Sequence, residues 1–299
     1  MKIAILILAH KNLQQLDRLL ARLTSDFDVF LHLDKKWDVD EGFFKKYPNV
    51  YLTRRHEVTW ASYQQIEAEL ELFTTVAGRD YDYHVLISGQ DLPVKSNRYI
   101  RNFLEKNRQY SFIDYEALPR KAWQEDFEGG YTRLWYYYGF EFKKNAVGFV
   151  AKKSMAVLRY LQKLTGLKRK LLSLPYYGGW TWVNLNREAL TYLVNYVRDN
   201  PQVLKSFRYT NCADEIWMQT ILLTSDLPLR NSDLRYTDWT NCVANPRILT
   251  QSNLEELRHT DALFARKFDP AVDAGVIEHV YEMTEEGTTE ELSYFEALQ

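Results

Sequence analysis

The first hundred residues alternate short apolar runs with stretches of helical periodicity, and a chain with that texture folds around a sheet of βαβ units. KIAILILAH reads as a fully apolar strand, after which Leu13, Leu16, Leu19, Leu20 and Leu23 fall on one helical face. DVFLHLD reads as a second strand ending in Asp34, and NVYLTRR as a third. A helix is expected from about residue 62 to 76, with Ile66, Leu70 and Phe73 inward. YHVLIS is a buried strand stopped by the Gly and Pro of GQDLP, and Ser96 is placed to cap a helix over Tyr99, Ile100 and Phe103. Ligands of such sheets bind at the carboxyl ends of the strands, which selects His10, Asp34 and the 89–95 loop.

A chain of 299 residues can bury a sizeable core, as one large α/β domain or two closely joined lobes. The segment 118–177 has a different texture, aromatic and irregular in GGYTRLWYYYGF and basic over 143–170. There Met155, Leu158 and Leu161 fall at helical spacing, which fits an amphipathic helix packed on the sheet or a face for membrane or acceptor. GGWTWVNLN resumes the sheet, a helix with Leu190, Leu193 and Val197 follows, and NCADEIWMQTILL starts another with Asp214 and Glu215 in its first turn. Residues 284–299 form an acidic tail expected to be loosely ordered.

Composition excludes several classes of function. With 38 basic against 40 acidic residues, no cationic surplus marks a nucleic-acid binder. Two cysteines, Cys212 and Cys242, cannot make the Cys-rich ligand sets of structural zinc or a disulfide framework and read as buried or half-buried thiols of a reducing compartment. The first apolar run is far shorter than the roughly 20 residues that span a bilayer, so the expected location is cytoplasmic. The aromatic content, 21 Tyr, 15 Phe and 8 Trp, suits sugar or base stacking and equally a large core.

No P-loop, GxGxxG, HExxH or GxSxG stands in its working context. Two DxD triplets, at Asp38 and Asp40 and at Asp80 and Asp82, sit in polar turns rather than after a buried strand, so no metal clamp is expected. A departing diphosphate would then be neutralised by Arg and Lys, for which Arg247 and Lys267 are candidates against a reading as ordinary surface cations. Glu215 is either a helix-dipole carboxylate or, facing a cleft, a proton acceptor.

Read in order, AHKN with LDRLL, FLHLDKK, HEVTWASYQQIEAEL, YHVLISGQDLPVKS, GGWTWVNLNREAL, ADEIWMQTIL, LRYTDW, NPRILT and LFARKFD resemble the core-2/I-branching family of β-1,6-N-acetylglucosaminyltransferases. That family includes peptide O-xylosyltransferases and plant glucuronosyltransferases. The resemblance covers residues 1–269, the stretch 117–175 excepted. It implies a GT-A type fold with a mixed central sheet flanked by helices. The expected layout is one catalytic domain over 1–283, made of a nucleotide-binding half 1–116, an acceptor-side insertion 117–177 and a catalytic and diphosphate-binding half 178–283. The implied activity is an inverting, metal-independent transfer from a UDP donor to a hydroxyl of a glycan or glycolipid. N-acetylglucosamine is the first expectation for the sugar, with xylose and glucuronate next, and no cofactor is required.

By the same resemblance Glu215 is the catalytic base, and Arg247 and Lys267 replace the metal at the diphosphate. His10, Asp34 and the turn holding Trp60 and Ser62 contact the nucleotide, with Ser88 and Asp91 beside the diphosphate. Trp180, Trp182 and Trp239 map to the acceptor side. The chain starts directly at its first strand, like a bacterial cytoplasmic relative that could work peripherally at the inner membrane face. The alternative is a non-catalytic UDP-sugar or glycan-binding protein on the same fold. A glycoside hydrolase needs a second flanking carboxylate, which no motif supplies, and the aromatic segment 131–140 is compatible with an additional protein-interaction surface.

Overall fold

The computed structural model describes residues 1–123, 128–139, 146–240 and 245–286. In chain order the elements are β1 (Ile3–Ala9), α1 (Leu13–Leu23), β2 (Asp28–Leu33), β3 (Val50–Leu52), α2 (Tyr63–Val76), β4 (Tyr83–Ser88), β5 (Leu92–Pro93), α3 (Asn97–Lys106), β6 (Ser111–Ile113) and β7 (Glu116–Ala117). Then come α4 (Tyr131–Trp135), α5 (Ala146–Thr165), β8 (Tyr177–Gly178), β9 (Val183–Asn186), α6 (Arg187–Asp199), α7 (Pro201–Phe207) and α8 (Trp217–Leu222). β10 (Leu229–Asn231), β11 (Arg235–Thr237), α9 (Leu254–His259), β12 (Phe264–Arg266) and α10 (Ala274–Glu286) complete the described chain.

Every residue of β1 is buried because the strand lies inside the sheet with a layer on each face. Ile3, Ile5 and Ile7 face the core that includes α1 and α10, while Ala4, Leu6 and Leu8 face the one built on α2, α6 and α8. The sheet has seven strands in the order β10-β6-β9-β4-β1-β2-β3, a mixed α/β architecture flanked by helices. Of these strands β9 alone runs against its neighbours, β4 and β6. Its reversed direction puts the residues that precede it at the carboxyl edge of β4. A small sheet, β11-β12-β5, is attached where β5 pairs antiparallel with β12, and this carries a C-terminal segment to the loop that follows β4.

Three details depart from the sequence reading. Asp214 and Glu215 lie in a separate 3-10 turn, Ala213–Glu215, before α8 rather than inside its first turn. The last helix runs to Glu286, past the expected start of the acidic tail at 284, and residues 287–299 lie outside the described chain. The basic segment does form a helix, α5, but Leu158 and Leu161 are exposed, and among the described residues no α5 side chain joins either core. Gln162, a polar residue, is buried there, where it satisfies the Tyr137 N–H at 3.0 Å.

Candidate active site

The ends of β1, β2 and β4 are tied side by side, with Asp34 N donating to Ala9 O at 2.8 Å and Gly89 N to Leu8 O at 2.9 Å. His10, Lys11, Asp34 and Lys36 therefore share one edge. Asp34 is buried but for a sliver, its Oδ1 accepts from Lys36 N at 2.8 Å, and Lys36 Nζ stands 3.8 Å from Oδ2. Arg55 braces this corner by donating to Asp34 O at 2.7 Å and Leu33 O at 3.2 Å. His10 is lowered from the usual histidine range, first by desolvation and then by Lys11, with Asp34 opposing and Lys267 adding to the depression. Lys267 thus belongs to the same cluster. Its ammonium donates to Asn245 Oδ1 at 3.1 Å, and desolvation, helped by the charge of Arg266, pushes its pKa down to about 8.

The loop after β4 is built around Asp91. This carboxylate is fully buried and accepts from Ser88 Oγ at 2.8 Å and Ser88 N at 3.1 Å. Arg266 Nε lies 3.2 Å and Arg235 Nε 4.0 Å from its two oxygens. Asp91 and Ser88 are therefore turned into the protein, where they lock the loop to β11 and β12 and so set where Lys267 emerges. Ser62 is also fully buried, its hydroxyl donating to Thr59 O at 2.5 Å, whereas Trp60 beside it is 66% exposed.

Glu215 stands where two left-handed residues meet. Ala61 (φ 64°) and Cys212 (φ 46°) are joined by Cys212 N donating to Ala61 O at 3.0 Å, so the 60–62 turn and the acidic turn form one unit. Such backbone costs roughly 1–2 kcal/mol per residue and persists only where its surroundings hold it. Beneath it, buried Glu69 accepts from Trp217 Nε1 at 2.8 Å and Gln65 Nε2 at 3.0 Å, and Asp214 accepts from Thr181 Oγ1 at 2.7 Å. Only a fifth of the Glu215 side chain is open to solvent. Burial first, then the charge of Asp214, raise it to about 7 against the pull of Arg133, whose guanidinium donates to Oε2. Arg133 itself lies 3.8 Å over the ring of Trp123. Cys212 is a half-buried free thiol raised well above its ordinary range, mainly by burial, and Cys242 lies outside the described residues.

A tryptophan pair joins Glu215 to Arg247. Gly179 N donates to Glu215 O at 2.9 Å, and the next residue, Trp180, stacks on Trp239 at 4.6 Å between ring centres and 15° between planes. The neighbour of Trp239, Asp238, sits 3.6 Å from Arg247 and accepts the Arg247 N–H on its carbonyl at 2.9 Å. Arg247 keeps about half its side chain exposed. Trp182 is buried with Arg266 4.0 Å over its ring, so it supports the Asp91 loop rather than offering a face to solvent. Asp80 and Asp82 pair with Lys2 and Arg187 at the opposite end of β4, and Asp40 accepts from Gly42 N at 2.8 Å. Among the described residues, no group of three or more His, Cys, Asp or Glu is arranged to hold a metal.

Arg133, Arg120 and Arg266 were not legible as site residues. Arg266 had a faint signal, since it precedes Lys267 in LFARKFD, but Arg133 and Arg120 lie in the segment without a recognisable motif. Arg120 donates to Asp114 at 2.7 Å and to Gly178 O at 2.8 Å, and lies over Trp180 at 5.2 Å.

Residues 3–259 match the Core-2/I-Branching enzyme family, and the chain belongs to that family. It is similar to a xylosyltransferase of Ciona intestinalis, 23% identical over 315 residues that cover 93% of this chain and 34% of that protein. It is also similar to xylosyltransferase 2 of Homo sapiens, 24% identical over 330 residues, 99% of this chain and 35% of that one. The chain spans about a third of the length of these curated relatives. Among solved structures it has a remote likeness to a Bacillus anthracis protein described as a glucose-1-phosphate thymidylyltransferase, crystallised with sucrose. That likeness has TM-score 0.35 and 9% identity, and covers 76% of this chain and 86% of the other.

Proposed function

We propose that the chain transfers a sugar from a UDP donor to a hydroxyl of a glycan or glycolipid, with inversion and without a divalent metal. The observation that carries this reading is Glu215, a carboxylate raised to about 7 and joined through the Trp180–Trp239 stack to Arg247. A group with that pKa is both ionised and basic enough near neutrality to act as a general base. Glu215 takes the acceptor hydroxyl proton while that oxygen bonds to the anomeric carbon on the face opposite UDP. The bond from that carbon to the diphosphate oxygen breaks, its electron pair leaves with UDP, and an α-linked donor gives a β-linked product. Arg247 and Lys267 neutralise the charge developing on the diphosphate, and Asp34 accepts from the nucleoside.

The test is calorimetry and thermal shift with UDP, UDP-N-acetylglucosamine, UDP-xylose and UDP-glucuronate, each with EDTA and with Mn²⁺. The motif resemblance supports N-acetylglucosamine and the names of the relatives support xylose, and the donor that stabilises most decides between them. At a hundredfold excess over Kd, a ligand adds about 2.7 kcal/mol. Stabilisation that survives EDTA is expected, and binding only with Mn²⁺ would overturn the charge-clamp mechanism. Glu215→Gln should lower turnover by about 10²- to 10⁴-fold with UDP affinity nearly unchanged. Donor binding without turnover in the unmodified protein would favour the non-catalytic reading.

A further inference from the structure

Helix α5 presents a face that neither core accounts for. Phe149, Val150, Val157, Tyr160, Leu161 and Leu164 are all exposed, Leu164 to 69% and Tyr160 to 65%. At 3.6 residues per turn these six positions fall within roughly a third of the helix circumference. The far side is the anchored one, through buried Gln162 and half-buried Met155. Cations flank the stripe: Arg159 lies 4.8 Å over Tyr138 and Lys163 5.6 Å over Tyr136, with Lys153 inside the stripe. Lys168 and Lys170 follow, and residues 142–187 contain no Asp or Glu. No helix among the described residues is long and apolar enough to cross a membrane.

We propose that this face docks on an anionic phospholipid surface, with α5 lying in the plane of the headgroups. The charge pattern selects that occupant. An apolar stripe alone would suit a partner groove, but complete exclusion of carboxylates over such a length matches a surface that is negative everywhere. A second copy fits poorly, because two such faces packed together would bring Lys153 and Lys163 against like charges. The proposal stands apart from the transferase reading, since lipid binding is read without donor or acceptor.

The experiment is co-sedimentation of the full chain with phosphatidylcholine vesicles, with and without phosphatidylglycerol, at increasing salt. Binding is expected to need phosphatidylglycerol, to weaken with salt, and to fall roughly tenfold or more in Lys153→Glu/Lys163→Glu and in Leu161→Asp/Leu164→Asp. All four side chains are exposed, so both variants should melt with the unmodified protein, and either one suffices if the other unfolds. Absence of vesicle binding, equal binding to neutral vesicles, or undiminished binding by the folded variants would overturn the proposal. So would a concentration-dependent dimer dispersed by Leu161→Asp, which would make a second copy the occupant.

Discussion

Glu215 owes its basicity to its neighbours. Loss of the Arg133 charge removes the attraction that holds its pKa down, so Arg133→Met should raise it and move the acid limb of the pH–rate profile upward. A merely structural role for Arg133 would lower activity and leave that limb in place. Gly179 is constrained by space: a Cβ there would lie 1.8 Å from Asp114 O. Gly179→Ala should therefore cost on the order of 3 kcal/mol, read by urea denaturation. Glu215 was legible because the sequence around it resembles a family motif. The cations that pull its pKa down were not, because Arg133 and Arg120 reach it only through packing.

At the scale of elements, strands and helices followed from periodicity wherever burial was one-sided or complete. Leu16, Leu19, Leu20 and Leu23 are buried on α1 as their spacing requires, and the Ser96 side chain accepts from Tyr99 N at 3.1 Å. Periodicity failed on α5 because an apolar stripe looks the same whether it meets a core or stands in solvent. A buried carboxylate, Asp91, braces the junction of β5 with β12. Asp91→Asn would remove the nearer of the two carboxylates, Asp91 and Asp233, that offset Arg235 and Arg266, and a loss of about 3–5 kcal/mol is expected in denaturant unfolding.

In the proposed reaction a base from the turn before α8 and a cation delivered after β12 set opposite limbs of one pH profile. Glu215 must be ionised, so kcat/KM should fall as pH drops through about 7. Lys267 must be protonated to hold the diphosphate, so it should fall again as pH rises through about 8. Between them lies a narrow optimum, and a flat profile from pH 6 to 9 would exclude this pair of groups. Lys267→Ala and Arg247→Ala should each weaken UDP binding, measured by calorimetry, and unchanged affinity in both would exclude the clamp.

The sequence by itself determined the βαβ texture, the apolar central strands, the helix faces and the order of motifs that the family match covers. These are encoded locally, in periods of 2 and 3.6 residues and in short runs. Tertiary structure alone decided that β9 runs against its neighbours, bringing Trp180 to the edge that holds His10 and Asp34. It also decided that β12 docks on β5 and sets Lys267 beside them, and that Asp91 and Ser62 turn inward while Trp60 turns out. Those outcomes depend on contacts between residues far apart in the chain, for which no local pattern exists to be read.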